Sequence, residues 1–328
     1  MICYAVWMTL RPAIPHVLLP ALLAACPSPP GADAGTEGPG TEASSSASSE
    51  AVTDGGTGST GSAGSTGEAP PPQPEVLTVL DQIVFYDGYA ATVDEPIPAG
   101  VIRHNNALVA TRFTEEMQAK IQTTLQLGVI VGALCDNYDR IGSVNLALVP
   151  RGAQTYAPAE VDRIEVARFI TPFMDMNKNP KTVPYEWQAD DLVPILKDPE
   201  LLAEFDLWFE LSIFGVPYAA NKEVAGCAGR NDTQLGTLLL YTDSARPAPE
   251  FTTLLPLAIS EDFNNYTEGA SDQLGTTRKT IQFELPADTP NAQLVLITSN
   301  HGANQGGEEY IRRDHDVYVD GTLVLQYK

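Results

Sequence analysis

The sequence predicts an all-β protein of the sandwich or jelly-roll class, and three observations predict it. Apolar runs of strand length recur in the C-terminal three quarters of the chain, as at 144–149 and 294–298. Ile281-Gln282-Phe283-Glu284-Leu285 alternates apolar and polar side chains with the period of a half-buried strand. Val317-Tyr318-Val319, Asp320-Gly321 and Thr322-Leu323-Val324-Leu325 read as a hairpin, because Asp-Gly accepts the positive φ angles of a type I′ turn. Helical pattern is confined to 114–120 and 198–205. Proline and glycine punctuate the remainder at short intervals, which favours many short strands in two packed sheets.

Taken in order, residues 1–26 read as an export leader. One basic residue, Arg11, precedes a short apolar core and the small residues before Cys26. The apolar stretch is too short and too rich in proline to span a bilayer comfortably. Leu23-Ala24-Ala25-Cys26 has the form of a bacterial lipobox, in which the cysteine becomes the lipidated first residue. Acyl chains there would anchor the protein, each buried CH₂ contributing about 0.8 kcal/mol. The expected location is a bacterial membrane, at the outer membrane or cell surface, with the polypeptide exported. Residues 27–75 are Gly, Ser, Thr, Ala and Pro with acidic but no basic residues. Such a segment lacks the apolar content to offset ordering entropy, and is expected to be a disordered acidic tether. The chain from residue 76 on is long enough to build two β-domains.

The formal charge of −23 argues against nucleic acid as a partner, since a phosphate backbone needs a Lys/Arg surface to replace its counterions. A neutral or sugar-like ligand suits this surface better. Cys135 and Cys227 are the cysteines that follow the leader, and export permits a disulfide between them; spacing alone leaves the pairing open. His104, His301 and His315 are too few for a multi-metal site. The chain has no G-x-S-x-G elbow, no H-E-x-x-H and no phosphate-binding G-x-x-x-x-G-K-[ST]. Chemistry here would fall to carboxylates.

Three segments hold carboxylates in unusual settings. Cys135-Asp136-Asn137-Tyr138-Asp139-Arg140 places Asp139 between an aromatic and a cation, although Asp and Asn are also ordinary turn formers before a strand. In Phe205-Asp206-Leu207-Trp208-Phe209-Glu210-Leu211-Ser212-Ile213, period two puts Leu207, Phe209, Leu211 and Ile213 on a core face. Asp206, Trp208, Glu210 and Ser212 share the other face, which is either a site or a solvent-facing sheet surface. Residues 299–315 open with a glycine-rich loop and close in a dense ionisable run, where Glu309, Arg313 and His315 alternate onto one side. That run is either a binding face or a solvated edge strand.

These segments, in this order, resemble the peptide-N-glycosidase F family. Cys135 to Arg140 is similar to that family's Cys-Asp-x-Trp-Asp-Arg, and Arg168-Phe169-Ile170-Thr171-Pro172-Phe173 to its Arg-Phe-Ile-Thr-Pro-Tyr. Gly306-Gly307-Glu308-Glu309-Tyr310, with Arg313 and His315, resembles its Gly-Cys-Ala-Glu-Trp-Cys-x-Arg-x-His. The resemblance implies two adjoining antiparallel jelly rolls, at 76–235 and 236–328, the second incomplete. It implies hydrolysis of the amide between an asparagine side chain and the first GlcNAc of an N-glycan or glycopeptide. The family's essential Asp falls on Asp139, and its glutamates on Glu309 and Glu210. Arg140, Tyr138, Tyr310, Arg313 and His315 would contact substrate. No cofactor and no metal is required by that chemistry. Departures include Gly307 and Ile311 where the family has cysteines, and Ser212 where an aromatic is expected. A non-catalytic surface lipoprotein that keeps the fold and binds glycan or protein is the alternative expectation.

Overall fold

The computed structural model describes residues 2–10, 73–249, 253–263, 278–285, 289, 292–300 and 314–328. The chain divides into two compact units, Pro27–Pro71 and the rest, and every described residue belongs to the second. Cys26 and residues 27–72 of the expected tether at 27–75 lie outside the described residues, and Glu75 at its end opens strand β2.

The described chain is all-β, with four helices of six residues or fewer. Strand β1 is Ile2–Leu10. Eight strands follow from residue 75: β2 (Glu75–Tyr86), β3 (Val101–Asn105), β4 (Leu108–Arg112), β5 (Thr124–Ala133), β6 (Ile141–Pro150), β7 (Asp162–Ile170), β8 (Thr182–Gln188) and β9 (Phe205–Ile213). Then come β10 (Asp232–Asp243), β11 (Thr253–Phe263), β12 (Ala292–Asn300), β13 (His315–Val319) and β14 (Thr322–Tyr327). A four-stranded sheet, β2-β10-β5-β8, faces a five-stranded sheet, β3-β4-β9-β6-β7, and every pairing is antiparallel. This is the first jelly-roll sandwich. The second region comprises, among the described residues, a three-stranded sheet β11-β1-β12 and the hairpin β13-β14.

Alternation builds the core. Leu127 and Val129 of β5, Leu146 and Leu148 of β6, Leu238 and Leu240 of β10, and Leu207, Phe209 and Leu211 of β9 are all buried between the two sheets. Each such side chain contributes about 1.5–3 kcal/mol by leaving water. Gly236 sits where β10 crosses this layer, and a Cβ there would lie 2.7 Å from the Phe85 ring. The sheet can close only around a glycine at that point.

The locally encoded elements form as expected. Asp320 and Gly321 have φ of 48° and 76°, as a type I′ turn requires, and they join β13 to β14. The helix Glu115–Lys120 is capped by the Thr114 hydroxyl, and Pro199–Glu204 by the Asp198 carboxylate, each accepting from backbone N–H groups. Three expectations change. Residues 281–285 are not in a strand; exposure alternates along most of the segment, but no neighbouring backbone pairs with it among the described residues. The first sandwich continues to Asp243, because β10 pairs with β2 and β5 across the expected boundary at 235/236. The first part of the expected leader is strand β1, since Ile2–Leu10 finds ladder partners on both sides.

Candidate active site

The connection from β5 to β6 carries the first carboxylate segment. Cys135 is tied to Cys227 by a disulfide, with 5.4 Å between the Cα atoms, so the pairing that spacing left open is made in this structure. Asp136, 1 % exposed, faces inward and accepts four hydrogen bonds. They come from the Val216 amide at 2.7 Å, the Tyr138 amide at 3.1 Å, and Nε and Nη2 of Arg140 at 2.6 and 3.2 Å. The Arg140 amide donates to Thr171 Oγ1, and the Thr171 amide donates back to the Arg140 carbonyl, both at 2.7 Å. The turn is therefore clamped by two segments distant in sequence, 171 and 216.

Asp139 sits on this clamped turn, half-buried, with no hydrogen bond to another described residue. Tyr138 beside it is exposed, its ring centroid 5.5 Å from that of exposed Phe173 and 5.6 Å from the Arg140 guanidinium carbon. The same end of the sandwich carries exposed Tyr89, whose ring meets Phe214 edge-on at 5.1 Å, and exposed Tyr218. The arrangement offers a carboxylate with no hydrogen bond to another described residue, an adjacent cation and aromatic faces of the kind that cover the C–H surfaces of a sugar. Sequence reasoning selected Asp139, Arg140 and Tyr138. It missed Asp136 as the residue that holds the turn, and Phe173 as the second ring, although both lie in the segments it singled out.

Glu210 has a different setting. Trp208 and Glu210 lie on the outer face of β9, as period two requires, but that face is not open to water. The connection from β6 to β7 folds over it: Ala153, Tyr156 and Val161 pack on Trp208, Ala110, Ala147 and Val149. Glu210 is fully buried and receives Nε of Arg163 at 3.0 and 2.9 Å, the Tyr156 hydroxyl at 2.8 Å and Nδ2 of Asn145 at 2.9 Å. Burial first, and then the Glu210 charge, push the Tyr156 phenol well above its ordinary range, so it stays a donor. His104, whose ring centroid is 4.6 Å from that of Tyr156, has its imidazole pushed down, chiefly by burial.

Asp139 lies just before the start of β6, whereas Glu210 lies opposite the fifth residue of that strand. Glu210 pairs with Asn145 across the β6–β9 ladder, and Asp139 lies six positions before Asn145. At ~3.3 Å per extended residue the two are up to about 20 Å apart along the strand. Both oxygens of Glu210 accept hydrogen bonds from donors that this chain supplies, Arg163, Tyr156 and Asn145.

The third segment is described only at its end. Glu309, Tyr310 and Arg313 lie outside the described residues. His315 opens β13, opposite Tyr327, and its ring stacks on that tyrosine at 4.7 Å and 4°. Arg168, from the Arg-Phe-Ile-Thr-Pro-Phe run, donates to both carboxylate oxygens of buried Glu165 and, at 3.1 Å, to Ser299 of β12. This contact joins the first sandwich to the second region.

Two family models match the chain in the same order as the two regions. Peptide-N-glycosidase F, N-terminal, matches residues 76–228, and peptide-N-glycosidase F, C-terminal, matches residues 269–328. The chain belongs to the peptide-N-glycosidase F family. The range of the N-terminal model holds the clamped turn and Glu210; that of the C-terminal model holds Glu309 and the β13–β14 hairpin. Among solved structures, PNGase F, a glycosylasparaginase from Flavobacterium meningosepticum, matches with 12% identity and a TM-score of 0.30. The match covers 59% of this chain and 48% of that one, so the chain spans about half the length of that structure. A search of curated proteins returns no match.

Proposed function

We propose that this peptide-N-glycosidase F family member is a glycoamidase that cleaves the asparagine–GlcNAc amide of N-glycoproteins, with Asp139 as its reacting carboxylate. The observation that carries this reading is the Asp136–Arg140 turn. It presents one carboxylate without a partner among the described residues, on a clamped loop that also carries the Arg140 guanidinium and the exposed Tyr138 ring. In the hydrolysis, water adds to the amide carbon, the C–N bond breaks and the leaving glycosylamine takes a proton. Asp139 would draw the proton from water. Arg140 and the rings of Tyr138 and Phe173 would hold the sugar end. Glu309 is the proton partner the family resemblance implies. Glu210 has no direct part, because its oxygens are held by Arg163, Tyr156 and Asn145.

The same reading places the protein outside the cytoplasm, anchored by lipid on Cys26. The Cys135–Cys227 disulfide supports it, since such bonds persist in oxidising compartments. The alternative, a surface lipoprotein that binds glycan without cleaving it, is favoured by one observation: Glu210 is fully buried and its oxygens are held by Arg163, Tyr156 and Asn145. The deciding experiment is release of glycan from a denatured N-glycoprotein by the full chain, with Asp139→Asn as control. Release that vanishes in the variant is the expected result. Retention of the glycoprotein without any release would sink the amidase and leave the binding protein.

A further inference from the structure

Strand β1 is the central strand of its sheet. It pairs antiparallel with β11 on one side and β12 on the other, and β11 and β12 form no ladder with each other. Against β12 the register runs one to one from Ile2↔Asn300 to Leu10↔Ala292 with no shift. Four consecutive residues, Ala5, Val6, Trp7 and Met8, are between 0% and 7% exposed, so side chains on both faces of the strand are covered. The Trp7 indole belongs to the core of the first sandwich and donates Nε1–H to the Glu165 carbonyl of β7 at 2.9 Å. A segment with a ladder along each edge and a buried aromatic anchor is seated as a strand in an acceptor groove. That segment also precedes Ala25-Cys26, the bond that a lipoprotein leader peptidase would cut. A cut there would leave β1 joined to the body through no covalent bond.

We propose that the groove between β11 and β12 is a strand-acceptor site. It binds an extended peptide of the Ile2–Leu10 type by strand addition, and the chain's own N-terminal segment is its resident occupant, held there after the connection is cut but then exchangeable. Its chemistry sets the selection. The N–H and C=O rows of β11 and β12 require an extended backbone free of proline. The pocket against β7 requires a large aromatic that carries a donor, flanked by apolar residues. This inference stands apart from the amidase reading and survives its failure.

The test uses the full chain with a protease site inserted within 27–71. After cutting, the N-terminal piece is expected to co-elute with the body in size exclusion. Labelled Ile2–Leu10 peptide in excess is expected to exchange into the complex, and the Trp7→Ala peptide to bind on the order of tenfold more weakly or worse. The proposal is overturned if the piece separates while the body keeps its elution volume and melting temperature. Equal exchange of the Trp7→Ala peptide overturns it as well, as does a cut protein that precipitates and is not kept soluble by added peptide.

Discussion

Two carboxylate–arginine pairs flank strand β6, and they are used differently. At the Asp136–Arg140 turn the buried carboxylate organises a loop and leaves its neighbour, Asp139, without a bond among the described residues. At Glu210–Arg163 the buried carboxylate ends the network: donors surround it, and Trp208 and Tyr156 lie over it. Both carboxylates have fully buried side chains. Burial of a charge therefore does not separate a scaffold from a site here. What separates them is whether the pair leaves an adjacent carboxylate without a bond among the described residues.

The comparison can be broken by variants. Arg163→Met should have the largest effect, because it leaves a fully buried charge facing only the neutral donors Tyr156 and Asn145. The expected cost is about 3–5 kcal/mol, read by denaturant unfolding. A cost below about 1 kcal/mol would mean that water reaches Glu210. Asp136→Ala comes next, at about 3 kcal/mol, since it orphans the buried Val216 amide and one partly exposed guanidinium. It should also depress glycan release through displacement of Asp139, and normal release in that variant would show that the turn does not need its clamp.

His104 sharpens the Glu210 side. Its imidazole is held below the ordinary 6.5, first by burial and with a lesser contribution from Arg163, while Glu210 acts in the opposite sense. The unfolded chain therefore takes up a proton before the folded chain does. Stability is present above pH ~6.5 and is lost as pH falls toward the depressed value, by at most about 1.4 kcal/mol per unit. His104→Gln should flatten the unfolding free energy between pH 7 and 5; an unchanged slope would assign it to other groups. The smallest effect belongs to Asp139→Asn. Since Asp139 bonds to no other described residue, stability should change by less than about 0.5 kcal/mol. A larger loss would show that Asp139 is a second scaffold carboxylate.

Much of the fold was legible because its signals are local. Asp320-Gly321 encodes its own turn, Thr114 and Asp198 cap the helices that follow them, and the two faces of β9 follow from alternation alone. The site was legible only as a segment. Asp136 and Asp139 sit in one hexapeptide, and nothing local says which of them turns inward to meet Val216. The burial of Glu210 was not legible, because its partners Tyr156 and Arg163 come from the β6–β7 connection and the start of β7, and their distance in sequence hides them. The leader reading rested on the apolar run at 17–25 and the lipobox at 23–26, and nothing in those signals bears on Ile2–Leu10, whose ladder partners lie more than 240 residues away.

The position of β1 also fixes an order of events. Ile2–Leu10 is synthesised well before its ladder partners at 253–263 and 292–300. At roughly 5–20 residues per second, those apolar residues wait on the order of tens of seconds without their partners. By then every strand of the first sandwich has been made, so that sandwich can assemble independently. The second sheet has the longest loop to close and is the slowest step on topological grounds. For this chain, translation runs opposite to assembly at one strand, and the Ala5-Val6-Trp7-Met8 stretch is where premature pairing would begin.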